Sequence, residues 1–560
     1  MTIRSRAELD ERRSSGQSFR GQRLEGFDLS GFDGEGLDFR GATFSRCLAR
    51  GARFTDAVLR GARLLGCDFS GADLSRADAT DLSATWDEAG APTTFDGARF
   101  DGAVLHRANL AGAALTWASF KRASLEGAVL DHAAARGADF EGATLSSAHL
   151  AKADLEGASL AEATLHGAVL DGANLIGVRA RSADLRGASL LGARLGEAIL
   201  TFADLTGARL GGSVLERADL SSADLSGADL HATNLTGANL AGALLAGTDL
   251  HQATLDGADL AGAALAGAKL EGVSFDGRDL SHVDLAGADL AGASFAGARL
   301  EGTSFAGARL RGAALAGAVF ASTDFEGADL SDVNLAGVDL RSARLAGVTL
   351  DGADLRGAKL FKALLVDVDL RRTRLAGAAF VQTLLERVDA RGVDFTGCDL
   401  TNATLSDARL EGAVFATAVA RQTSFARSNL RGAKLQRLQG TLANFAGACL
   451  DEADLREAVL EEACFDGVTM RKAHAERARF ARAGFVRADV RGTDFREAGF
   501  ADADLSHARL DGCDLHGADL RGANLHRIGG GGTELAGAHV EGSRGTDPAR
   551  ARAEDFKPQA

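Results

Sequence analysis

The side chains able to carry chemistry here are 12 His, 6 Cys and 77 Asp and Glu, set against 62 Lys and Arg for a net charge of -15. Imidazoles and thiols at short spacing would hold a metal ion, and paired carboxylates would move protons. The cysteines show no Cys-x-x-Cys spacing. Among the histidines the one regular close pair is His231 and His251, and no third ligand or outer shell accompanies it. No Gly-rich phosphate loop opens a helix, and no Ser, His and Asp set stands out. The sequence therefore assigns no catalytic residue, no cofactor and no metal ligand, and a non-enzyme is expected.

Where these side chains point is governed by a period of five. From Phe95 to Val540 nearly every fifth residue is Leu, Phe, Val or Met, and a small residue stands two places before it. Ala218-Asp219-Leu220, Ala223-Asp224-Leu225, Ala228-Asp229-Leu230, Thr233-Asn234-Leu235 and Ala238-Asn239-Leu240 follow without a slip. An α-helix turning every 3.6 residues would smear this period over all its faces, and a strand alternates every two. The pattern fits three extended residues followed by two that turn a corner. In each quintet the small slot and the apolar centre point inward, and the middle residue between them points out. Gly is common at the second corner, as at Gly227, Gly237 and Gly257, where a turn requires positive φ.

These blocks resemble the motif of the pentapeptide-repeat family, and the likeness covers most of the chain. The resemblance implies an all-β fold: a right-handed quadrilateral parallel β-helix, a pentapeptide-repeat solenoid with four quintets per coil. Residues twenty apart then lie above one another, and about 22 coils at about 4.8 Å each would make a long rod of roughly 110 Å.

Two details support the inward assignment. Gly34, Gly440 and Gly530 occupy centres and would leave voids, yet Phe32, Leu438 and Ile528 fill the slots that are elsewhere small. Phe425, Phe445, Phe465 and Phe485 fall twenty apart, as a stacked column requires. Five segments are expected: a capping segment over 1–16 with a short helix from Arg6 to Ser14, set by the Ser5 and Glu8 spacing; a first ladder over 17–79; a frame-shifting bulge or loop over 80–94 with Trp86 and Pro92; the main β-helix over 95–540; and a mobile tail over 541–560.

The slots also sort the reactive residues. Cys47, Cys67, Cys398 and Cys513 occupy small inward slots, where a thiol substitutes for Ala. Cys47 and Cys67 are one coil apart and are expected to stay reduced. Arg278 sits in a small slot, so a local bulge pairing it with Asp276 or Asp279 is expected. The middle Asp residues are structural, hydrogen-bonding local backbone.

Surface features bear on partners. Family members that protect DNA gyrase and confer quinolone resistance resemble B-DNA in charge and shape. A duplex as long as the expected rod would carry on the order of 65 charges, which the net charge here does not approach. Charge is banded instead, basic over 421–440, acidic over 451–470 and basic over 471–490, which suits salt bridges between coils. Phe361, Leu364, Val381 and Leu384 repeat at spacing twenty on an outward face beside Val366, with Arg371, Arg372 and Arg374 adjoining as a rim. This set is the candidate partner interface, and a homodimer is one form it could take.

The expected function is a non-enzymatic rigid rod serving as a protein-interaction scaffold or spacer. A DNA-mimicking gyrase-binding protein is the first alternative. A type VI secretion accessory protein is the second, from the likeness of Ser5 to Arg13 and Gly26-Phe27-Asp28-Leu29 to segments of such proteins. A protein partner is expected, without direct nucleic-acid binding. No apolar run approaches the about 20 residues of a membrane helix and no signal peptide is evident, so no membrane association and a cytoplasmic location are expected.

Overall fold

The computed structural model describes residues 5–555. One quintet shows why the chain coils. In 218–222 the Ala218 N–H closes the corner by donating to Leu215 O at 3.0 Å. Asp219 N–H donates to Ala198 O in the coil below, while Leu220 and Ser222 donate to Asn239 O and Ala241 O in the coil above. That leaves the first-corner N–H, and Ser221 donates it to Asp219 Oδ1 at 3.1 Å. All five donors are thus satisfied without a flat sheet. The middle position favours Asp and Asn because only a short side-chain acceptor reaches the corner. Ser222 has φ of 56° at the second corner, the conformation that Gly adopts most cheaply.

The chain divides into two compact units, residues 1–274 and 275–560. Each is a right-handed quadrilateral parallel β-helix. In the first unit, helix α1 (Arg6–Ser14) precedes four strands, β1 (Arg23–Glu25), β2 (Thr43–Ser45), β3 (Arg63–Leu65) and β4 (Ser83–Thr85), stacked in that order. Their register aligns Leu24, Phe44, Leu64 and Ala84. Beyond β4, single parallel bridges recur twenty residues apart in both units, such as Asp139 with Ser159 and Asn429 with Cys449. Ser5 caps α1 by accepting from Glu8 N–H at 3.2 Å, and Leu9 is buried. Arg6 and Arg13 lie over the Phe32 ring.

The centres are the core. Phe100, Phe120 and Phe140 stack at 4.7 and 4.8 Å in the first unit, and Phe425, Phe445, Phe465 and Phe485 at 4.9, 4.9 and 4.6 Å in the second. Small slot and centre share one interior. A Cβ on Gly34 would stand 3.1 Å from the Phe32 ring, and one on Gly440 would stand 3.5 Å from Leu438 Cδ2.

Three expectations need correction. The first ladder does not stop at Ala79, because β4 continues it through buried Ala84. Leu82 fills the small slot there, the same exchange of volume seen at Phe32 and Gly34, which hides the centre from a search for Leu or Phe. Asp68 then pairs with Thr94, so this coil has 26 residues instead of 20. The added loop turns on Asp87, whose carboxylate accepts from Ala89 and Ala91 N–H, and the buried Thr93 hydroxyl donates to Thr85 O at 2.9 Å to rejoin the ladder.

The tail, expected to be mobile, is built. Arg544 N–H donates to Ala523 O, and helix α2 spans Pro548–Asp555. Asp547 caps it through Ala549 and Arg550 N–H, with Pro548 at the first helical position, where its missing donor is no loss. Residues 1–4 of the capping segment and 556–560 of the tail lie outside the described residues.

Arg278 produces no bulge. Its N–H donates to Phe275 O at 3.2 Å and its carbonyl accepts from Arg299 N–H at 2.8 Å, the regular pattern. The side chain is half-buried, so the backbone has no need to distort.

Candidate interaction surface

The proposed apolar set lies within the second unit, where the repeat brings its members to one face. Leu364 and Leu384 are bridge partners in successive coils, and Lys362 N–H donates to Val381 O, which places the Phe361 and Val381 corners one above the other. Val366 turns the next corner of the lower coil, at the other end of the Leu364 face. Phe361 and Leu364 are each 40% exposed, and Val366, Val381 and Leu384 are half-buried. The Lys362 ammonium sits 5.0 Å from the Phe361 ring centre, so a cation edges the apolar patch.

The three arginines do not rim this patch as expected. Arg374 stacks on Asp354, half a coil from Leu364 and so on the opposite face, and Arg371 and Arg372 turn the corner diagonal to Phe361. All three are already engaged. Arg371 forks onto Asp369 at 2.6 Å, Arg372 reaches Asp351 at 3.0 Å, and Arg374 stands 3.8 Å from Asp354. Arg371 and Arg372 wall a cleft of about 540 Å³ with Asp351, Asp367 and Asp369. A partner reaching these arginines would have to compete with those carboxylates.

The banded charge pairs off between coils. Arg437 meets Glu457 at 2.8 Å, Arg477 meets Glu497 at 2.9 Å, and Arg479 and Arg482 meet Glu461 and Glu462 at 2.5 Å. Asp489 is nearly buried among Arg471, Arg491 and Arg509, and the Arg491 guanidinium, with Arg471, holds its carboxyl well below the usual range against the opposing effect of burial. Exposed pairs of this kind contribute little each, about 0–1 kcal/mol, but they neutralise the acidic surface.

Outside the patch, three aromatic side chains among the described residues face solvent. Trp86 and Trp117 are 56% and 73% exposed, and each leans on a glycine corner of the next coil, Gly112 and Gly137, where a Cβ would strike the indole. Phe202 lies under the Arg181 guanidinium.

The inward thiols are sealed. Cys398 accepts no solvent and burial pushes its thiol up to about 12, while Cys513 is pushed up to about 11 for the same reason. Cys449 and Cys464 are half-buried on the outside. His231 and His251 stack at 5.5 Å without a third ligand joining them among the described residues.

A histidine cluster that spacing did not disclose sits at the end of the second unit. His507 at a second corner and His526 at the first corner of the next coil are 19 apart, one short of the vertical repeat. Their Nε2 atoms converge on Glu554 of α2 at 3.4 and 3.2 Å. A corner-to-corner search at spacing 19 would have found the two histidines. The carboxylate needed the fold of the tail.

The family profile described as "Pentapeptide repeats (8 copies)" matches residues 38–76, 93–122, 123–161, 163–201, 198–237, 233–272, 268–305, 298–337, 323–360, 363–402, 398–437, 441–474 and 498–528. No curated protein matches the chain. Among solved structures it is similar to HetL, a pentapeptide repeat protein involved in heterocyst differentiation regulation from the cyanobacterium Nostoc, at 28% identity over 48% of this chain and 96% of HetL, with a TM-score of 0.26. It is also similar to full-length QnrB1, a plasmid-mediated fluoroquinolone resistance protein, at 15% identity over 51% of this chain and 96% of QnrB1, with a TM-score of 0.18.

Proposed function

We propose, from the premise that this chain belongs to the pentapeptide-repeat family, that it is a non-enzymatic interaction scaffold that receives a protein partner on the face carrying Phe361, Leu364, Val366, Val381 and Leu384. One observation carries this reading: two large apolar side chains, Phe361 and Leu364, each expose two-fifths of their surface side by side, continuous with Val381 and Leu384 in the next coil. Contiguous exposed apolar surface marks association sites, and the repeat backbone holds this one in place without the cost of ordering a loop on binding. Lys362, whose ammonium sits 5.0 Å from the Phe361 ring centre, supplies a charged edge to the patch.

The pairing of acidic side chains with arginines of adjacent coils favours a scaffold over a mimic of duplex DNA, whose phosphates are unpaired with fixed cations. The test is the double variant Phe361→Glu with Leu364→Glu, compared with the unaltered chain by light scattering and by cross-linking in cell extract. Loss of self-association or of one cross-linked species, with circular dichroism unchanged, supports the site. Identical oligomers and cross-links in both proteins would remove it.

A further inference from the structure

We propose that His507, His526 and Glu554 form a site for a divalent transition-metal ion of the zinc class, which fastens helix α2 to the last coils of the second unit. Glu554 Oε2 lies 3.2 Å from His526 Nε2 and 3.4 Å from His507 Nε2, and the three ligand atoms are within 4.8 Å of one another. Zinc held tetrahedrally at about 2.0–2.1 Å keeps its ligands about 3.3–3.4 Å apart. Two edges of the required triangle therefore exist already. Two imidazoles with one carboxylate suit zinc, cobalt or nickel ahead of magnesium or calcium, which prefer all-oxygen ligands.

The surroundings favour a held geometry. His526 is 2% exposed, and its ring meets that of His507 edge-on at 5.4 Å. Arg550 engages Glu554 Oε1 at 2.9 Å, which orients the carboxylate and turns Oε2 toward the histidines, while Arg527 approaches Oε2 at 3.4 Å. Arg527 also pairs with Asp555 at 2.5 Å, so its charge is partly offset beside the site. His507 and Glu554 are partly exposed, which leaves room for water as a fourth ligand.

The metal-free arrangement fixes the proton. Asp547 N–H donates to His526 Nδ1 at 3.1 Å, so the neutral ring carries its proton on Nε2 and points it at Glu554. On binding, the metal takes the Nε2 lone pair and that proton moves to Nδ1. The ring stays neutral, and the part-buried Asp547 N–H gives up His526 Nδ1 as its acceptor. Two hydrogen bonds of His526, from Asp547 N–H and to Glu554 Oε2, are exchanged for a metal–nitrogen bond.

The test uses the full chain stripped with EDTA and titrated with ZnCl2 by calorimetry, with MgCl2 as the competing ion. One saturable Zn²⁺ site is expected in the unaltered chain and in His231→Gln, which addresses the other histidine pair. His507→Gln and Glu554→Gln should each weaken it beyond the about 10–100-fold that loss of an outer-shell partner costs. Zn²⁺ should also slow tryptic cleavage at Arg550 and Arg552 in the unaltered chain and not in Glu554→Gln. Both ligand substitutions lie outside the packed interior, and circular dichroism verifies their fold. Absence of a saturable Zn²⁺ site, undiminished affinity in Glu554→Gln, or cleavage indifferent to Zn²⁺ would each overturn the proposal.

Discussion

Leu438 and Gly440 allow the shared interior to be measured. Leu438 is fully buried in a slot that usually holds Ala, and a Cβ built on Gly440 would meet Leu460 Cδ2 at 2.8 Å and Leu438 Cδ2 at 3.5 Å. Leu438→Ala alone should open a cavity beside the glycine and cost about 2–5 kcal/mol. Gly440→Leu alone should overpack the same space and cost about 1–3 kcal/mol. Together they recreate the common order of Ala at the slot and Leu at the centre. Gly440 lacks a positive φ, so its backbone accepts the side chain. The double variant should then lie within about 1.5 kcal/mol of the unaltered chain, as volume-conserving exchanges do. The two costs must couple by at least about 1.5 kcal/mol to reach that result, well outside the scatter of independent sites. Stacked repeats open locally, so the readout is amide exchange over 435–460 together with thermal unfolding. Additive losses in the double variant would refute the claim that slot and centre fill one volume.

Two further outcomes follow from the ionisable groups. The Asp489 carboxyl is held below its unfolded value of about 3.9, so the stability it contributes is complete above that value and is lost as pH falls through the folded one. Asp489→Asn should therefore destabilise by about 1.5–3 kcal/mol near neutral pH and converge with the unaltered chain in strong acid; melting curves that stay parallel across pH would contradict this. For the thiols, alkylation at mildly alkaline pH should label Cys449 and Cys464 first, while Cys398 and Cys513, pushed up to about 12 and about 11 by burial, wait for unfolding. Mass spectrometry of the native labelled chain checks the order, and early modification of Cys398 would show that the interior is open.

The period of five by itself set three extended residues against two that turn and pointed Leu220, Leu225 and their successors inward, while the resemblance to the pentapeptide-repeat family supplied the four-sided coil. It also placed Phe361, Leu364, Val381 and Leu384 on a common face, since vertical neighbours in that stretch are twenty residues apart. Sequence lost its grip wherever volume or partners mattered more than residue type. Ala84 is a centre only because Leu82 supplies the missing bulk, and the extra six residues of that coil became visible only through the pairing of Asp68 with Thr94. Arg371, Arg372 and Arg374 were legible as charges, yet their placement away from the apolar patch follows from four quintets per coil, and their pairing with Asp351, Asp354 and Asp369 depends on which rotamers reach across a coil. Tertiary structure alone decided the meeting of His507, His526 and Glu554: a helix outside the repeat folds back upon two corners, and no fixed period relates a helix to a ladder.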